Sequence, residues 1–252
     1  MNKILLLILL LLMLYIDKKR GFKLFLSLIL NFGILVTIFY LIALGANPII
    51  VSLLGCFIIS YVILYLVNGK NIKTKSAFIS VVIVLIITLA LIFVVTKVSR
   101  IAGFGYESYE EINMYSYDIG LDYTNISISL ILISLIGAMV DSSIAISSAL
   151  YEVYDNNKKL GVKELYKSGI NIGKDILCTT TNTLYFAFLG DFMTLIFWFY
   201  GTHTSFLEII NAKTFVAEVI KILFSASGCL LVIPVSAYIT AHLVKNKHKS
   251  ID

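Results

Sequence analysis

Apolar residues run along this chain in long blocks separated by short polar breaks. Seven blocks stand out, at 4–16, 22–44, 49–67, 77–96, 125–150, 176–200 and 216–244. They are too long and too uniform for the alternating strands of a barrel, and six are close to the roughly 20 residues a helix needs to cross a bilayer. Backbone groups inside hydrocarbon have to be satisfied within their own segment, which selects helices. The pattern predicts an all-α membrane protein, a polytopic bundle of about seven transmembrane helices forming a single integral membrane domain over 1–252. The first block is short, at thirteen residues. Its length suits a signal-peptide core, but no small-residue cleavage site follows. Asp17-Lys18-Lys19-Arg20 and a second apolar block follow instead, which favours a retained helix.

Composition sharpens this picture. Of 252 residues, 59% are hydrophobic and 14% charged, against about 25% charged in a soluble domain. A freely soluble enzyme, a nucleic-acid-binding domain and a disordered chain are excluded. The net charge of +5 is explained by its placement. Fifteen of the 20 Lys and Arg residues fall in alternate breaks, at 17–23, 68–76, 151–175 and 245–252. The positive-inside rule puts those breaks in the cytoplasm, the N-terminus outside and the C-terminus inside. The break at 97–124 carries Glu107, Glu110, Glu111, Asp118 and Asp122 on the outer side. The partner implied by the basic side is the lipid bilayer and its anionic headgroups, with no nucleic acid. Within 151–175, Leu160, Val162, Leu165, Tyr166, Ile170 and Ile172 are interleaved with lysines. That order fits a short helix lying on the membrane face or an ordinary linker. Cys56, Cys178 and Cys229 sit in apolar blocks, and His203, His242 and His248 sit at or beyond block ends. Neither set has metal-ligand or disulfide spacing, so no metal site and no cofactor are expected.

Two blocks carry polar residues that span length does not explain. Asp141 lies about 13 Å inside the fifth, counted from its cytoplasmic end. An ionised aspartate at helix centre costs about 2.5–3.5 kcal/mol on insertion, so it is expected to face protein or water. On a helix, Ser134, Asp141, Ser148 and Glu152 fall within about 20° of one another and Gly137 about 40° away. This is the face of a water-lined helix, or of one packed closely through small residues. The sixth block starts Gly173-Lys174-Asp175 and continues Thr179-Thr180-Thr181-Asn182-Thr183. Asp175, Thr179 and Asn182 share a face, with Thr180, Ala187 and Asp191 nearly opposite. Threonine hydroxyls bond back to their own helix, but Asn182 needs partners elsewhere. Asp141 and Asn182 are expected at similar depth, close enough to hydrogen-bond if the fifth and sixth helices pack. Gly190-Asp191 resembles the motif of aspartyl intramembrane proteases, but Asp191 falls about 13–14 Å from the depth of Asp141, too far for a shared-proton dyad. Gly173, Gly190 and Gly228, with Ser134 and Gly137, are candidates for close helix packing. In the last block Ser225, Ser227, Pro234 and Ser236 suggest packing and a local kink.

These residues resemble the YibE/F family of bacterial multi-pass membrane proteins. The resemblance is densest in Gly137-Ala138-x-x-Asp141, Ile146-x-Ser148-Ala149-Leu150-x-Glu152, Ser168-Gly169-x-Asn171-Ile172-Gly173-x-Asp175-Ile176 and Thr179-x-x-Asn182-Thr183-Leu184-x-x-Ala187-x-x-Gly190. The chain departs from the family pattern at Ala145, Lys174, Cys178 and Thr180. Having no large outer domain, it is similar to the shorter, YibF-like members. The resemblance implies a cell-membrane protein with a transport role and a longer YibE-like partner, without naming a substrate.

Three functions fit these observations. One is a permease or ion-coupled transport component, with Asp141, Ser148, Asp175, Thr179, Asn182 and Thr183 along the pathway. A second is a non-transporting structural or assembly subunit held together by the same residues. The third, an intramembrane enzyme, has the least behind it, and no enzymatic activity is expected.

Overall fold

The computed structural model describes residues 2–99 and 123–249. Every element in them is helical: α1 (Asn2–Ile16), α2 (Lys18–Ala43), α3 (Pro48–Tyr61) running on into a π-helical stretch (Val62–Val67), α4 (Ile72–Ser99), α5 (Tyr123–Asn156), α6 (Val162–Gly201), the short α7 (Phe206–Asn211) and α8 (Lys213–Lys249). The acidic residues Glu107, Glu110, Glu111, Asp118 and Asp122 lie outside the described residues, as do the side chains of Asp191 and His248.

Local chemistry sets the boundaries. Asp17 caps α2 by accepting from Arg20 N at 3.3 Å. Asn47 caps α3 by accepting from the amides of Ile49 and Ile50, with Pro48 in the first turn, where its missing N–H costs nothing. Gly45 and Gly69 end the preceding segments at φ of 86° and 72°, the left-handed region that favours glycine. At the start of α6, the Glu164 carboxylate accepts from Gly161 N at 2.8 Å.

Among the described residues, six helices are long and apolar enough to cross a bilayer. The seventh apolar block forms only α1, whose 15 residues reach about 22 Å, less than the roughly 30 Å hydrocarbon core. The chain turns back at Asp17, and Gly21 of α2 lies so close to the Met13 carbonyl that no side chain would fit there. α1 is thus a short apolar helix lying against α2, beside six helices of full spanning length among the described residues.

For 151–175, neither a separate surface helix nor a long linker is found, and the connection is only residues 157–161. α5 continues to Asn156 and α6 starts at Val162, so the lysines ride on extensions of membrane helices. At 34, 40 and 37 residues, α5, α6 and α8 reach about 50–60 Å and stand well out of the bilayer. The extensions hold together because they carry their own small core, in which Tyr154, Leu165, Ala241 and Val244 are buried with Leu160 and Val162 against them. Lys245 closes it by donating to the Leu160 carbonyl at 2.9 Å. The leucines and valines interleaved with lysines thus face protein rather than lipid.

The main core surrounds α5, which packs against α3, α4, α6 and α8. Ile128, Leu132, Leu135 and Met139 are fully buried there, with Val81, Val84 and Leu85 of α4. Glycines let α8 and α6 approach: a Cβ at Gly228 would press on Met139, one at Gly169 on Leu150 and Ala237, and one at Gly173 on Ile233. Pro234 lies inside α8.

Candidate functional site

α5 has two polar faces that meet different surroundings. On the inner face Ser143 donates to the Ala77 carbonyl at 3.0 Å and pairs with Ser236 at 2.8 Å. Ser147 pairs with Thr240 at 3.0 Å. These four hydroxyls knit α5 to α4 and α8. Ser236 is among the residues expected to pack, whereas Ser143, Ser147 and Thr240 lie off the acid-bearing stripe and are not singled out by the sequence pattern. Their signal was available, since Ser143 and Ser147 are one turn apart, as are Ser236 and Thr240.

The outer face carries the expected stripe. Ser134, Gly137, Asp141 and Glu152 are exposed and Ser148 is half-buried. Among the described residues the Asp141 carboxylate has no hydrogen-bond or ion-pair partner. Glu152 reaches Lys73 at 3.4 Å. At Gly137 a Cβ would meet no neighbouring atom of the described residues within 4 Å.

α6 repeats the arrangement. Its inner face is Leu165, Gly169 and Gly173, all buried, while Asp175, Thr179, Asn182 and Thr183 are exposed. Thr179 donates to the Ile176 carbonyl at 3.0 Å and Thr183 to the Thr179 carbonyl at 3.0 Å, both inside their own helix. The Asn182 amide has no partner among the described residues. Gly190, expected to pack, also has nothing within 4 Å of where a Cβ would sit. Of the five small residues read as packing positions, the structure puts Gly173 and Gly228 against neighbouring helices and leaves Ser134, Gly137 and Gly190 open.

One geometric fact turns both polar faces outward. Nine residues on an α-helix make two and a half turns, so residues nine apart point in opposite directions. Leu150 is buried against Gly169, and Asp141 is nine residues before it. Gly173 is pressed against Ile233, and Asn182 is nine residues after it. Packing the leucine and the glycine inward obliges the acid and the amide to face out. The expected hydrogen bond between Asp141 and Asn182 of one chain is therefore not formed, although α5 and α6 do pack side by side.

Depth is fixed by the same contact. α5 and α6 run antiparallel from a five-residue connection, and Leu150 is level with Gly169. Counting nine residues along each helix puts Asp141 level with Cys178 and about 6 Å from the level of Asn182. Cys178 is exposed, whereas Cys56 and Cys229 are buried. Among the described residues no three of His, Cys, Asp or Glu cluster closely enough to hold a metal ion.

The family model described as YibE/F-like protein matches residues 5–246, nearly the whole chain. No curated protein and no solved structure matches it. The family motifs quoted above lie on α5 and α6, the two helices whose polar faces turn outward. The chain belongs to the YibE/F-like family.

Proposed function

We propose that this protein is a permease or ion-coupled transport component of the cell membrane, with its polar pathway along the outward faces of α5 and α6. The observation that carries this reading is the uncovered carboxylate of Asp141 on the helix that is otherwise the most enclosed in the bundle. Hydrocarbon is an expensive neighbour for that group, at about 2.5–3.5 kcal/mol for the ionised form. A carboxyl that instead meets water in the membrane can exchange a proton or bind a cation, with Ser148, Thr179, Asn182 and Thr183 supplying further oxygen and amide groups. The inner face of α5 is the weaker candidate, because Ser143 and Ser147 are already paired with α4 and α8 and the apolar side chains around them are buried.

The test is a thiol-accessibility scan of single cysteines along 134–152 in membranes, on a Cys178→Ser background. Transport requires a membrane-impermeant maleimide to label positions 134, 137, 141 and 148 and to spare 139, 143, 146 and 150. If the stripe stays unlabelled at the depth of Asp141, the residues serve only to join helices, and the assembly reading replaces this one.

Orientation follows from the lysines on the extended ends of α5, α6 and α8. By the positive-inside rule they favour a cytoplasmic location for those ends and for the C-terminus. A reporter active only outside the cell, fused after Asp252, is expected to be silent. α1 decides the side of the N-terminus, which lies outside if that helix crosses and inside if it does not.

A further inference from the structure

The outward face of α5 and the outward face of α6 are complementary, although one chain cannot bring them together. α5 offers acceptors and space. Asp141 and Glu152 are its acids, and Gly137 and Ala145 lie one turn to either side of Asp141. α6 offers donors, since Lys167, Asn171, Lys174 and Asn182 are all exposed, with Asp175 the sole acid between Lys167 and Asn182. Each set spans an arc of about 80° on its helix.

The levels correspond. With Leu150 level with Gly169, Glu152 stands level with Lys167, Ser148 with Asn171, Ala145 with Lys174, and Gly137 with Asn182. The two smallest residues of the α5 face therefore stand opposite long polar side chains of α6. Asp141 falls between them, about 6 Å from the level of each. A second copy inserted the same way up in the membrane presents its α6 at these same levels. Head-to-tail contacts of this kind close into a ring when the rotation about the membrane normal permits it.

We infer that the chain associates with further copies of itself, the outward face of α5 in one copy docking on the outward face of α6 in the next. In that contact Asp141 lies between Lys174 and Asn182 of the neighbouring copy, and Glu152 faces Lys167. This deepens the proposed transport reading by saying what lines the other side of the pathway. It rests on the faces alone, so the two stand or fall on different measurements.

The test uses the full chain in its membrane and the native exposed thiol. One tagged copy carries Ala145→Cys with Cys178→Ser, and a second, differently tagged copy keeps Cys178. The buried Cys56 and Cys229 stay in place. A short bifunctional maleimide is expected to join the two tags several-fold more efficiently than when the new cysteine replaces Phe32, an exposed residue of α2. The unmodified protein in lipid nanodiscs is expected at a whole-number multiple of 28.1 kDa. A mass of one chain, cross-linking no better than from position 32, or an adduct only with a different membrane protein would each overturn the inference. Maleimide access along 134–152 tests transport separately, because it reports whether water reaches the stripe and not whether a second copy stands beside it.

Discussion

On one side of α5, Ser143 and Ser147 find hydroxyl partners on α8 within 3.0 Å. On the other side, among the described residues, the Asp141 carboxylate has no hydrogen-bond or ion-pair partner and a Cβ at Gly137 would meet no neighbour within 4 Å. On the inner face the polarity comes in small increments, and Ser143 and Ser147 are satisfied by α4 and α8, so these two join helices. The outer face concentrates one costly group beside small residues and leaves it unanswered. Polarity that the fold satisfies is structural. Polarity that the fold leaves open implies water or another protein, because lipid would not accommodate it.

The largest effect expected from breaking this contrast is functional. Asp141→Asn removes the charge and the exchangeable acid proton while keeping the shape. We expect proteoliposomes loaded with a pH-sensitive dye to lose proton flux by more than about tenfold, which is about 1.4 kcal/mol on the barrier. Membrane abundance and thermal stability should match the parent protein. Retained flux at equal abundance would remove Asp141 from the pathway.

Glycines sharpen the same comparison through stability. Gly173→Leu drives a side chain into Ile233 and is expected to cost about 1–3 kcal/mol, as overpacking typically does. At Gly137 a Cβ would meet no neighbouring atom of the described residues within 4 Å, so Gly137→Leu should leave unfolding of the single chain unchanged. Reversible unfolding in mixed micelles measures both. A destabilised Gly137→Leu chain would show that the outer face is covered from within.

The smallest effect lies in the inner hydroxyls. A double-mutant cycle on Ser147→Ala and Thr240→Ala should give a coupling near 0.6 kcal/mol, the average for hydrogen bonds between membrane helices. A coupling of several kcal/mol would mean that the inner face does more than join α5 to α8.

Several features could be read without coordinates because they depend on chain chemistry alone. Block length and uniformity specify helices in a membrane, whatever those helices pack against. The clustering of lysines at alternate breaks, the caps at Asp17 and Asn47, and the positions of Asp141 and Asn182 on their helical faces all follow from local sequence and the helical repeat. The short first block already showed its weakness in its length.

Other features required the tertiary structure, since they depend on which face of each helix is buried. Periodicity shows that Asp141 and Ser148 share a face, but it does not say whether that face turns in or out. The answer comes from Leu150 meeting Gly169 and from Gly173 meeting Ile233, contacts between segments distant along the chain. Nor could hydropathy separate a helix lying on the membrane from the extended ends of α5 and α6. Lysines interleaved with leucines fit both, and the difference lies in Tyr154, Leu165 and Val244 finding one another above the bilayer. Local sequence determines where a helix can form and which residues share a side. Which side is buried depends on the partners the rest of the chain brings to it.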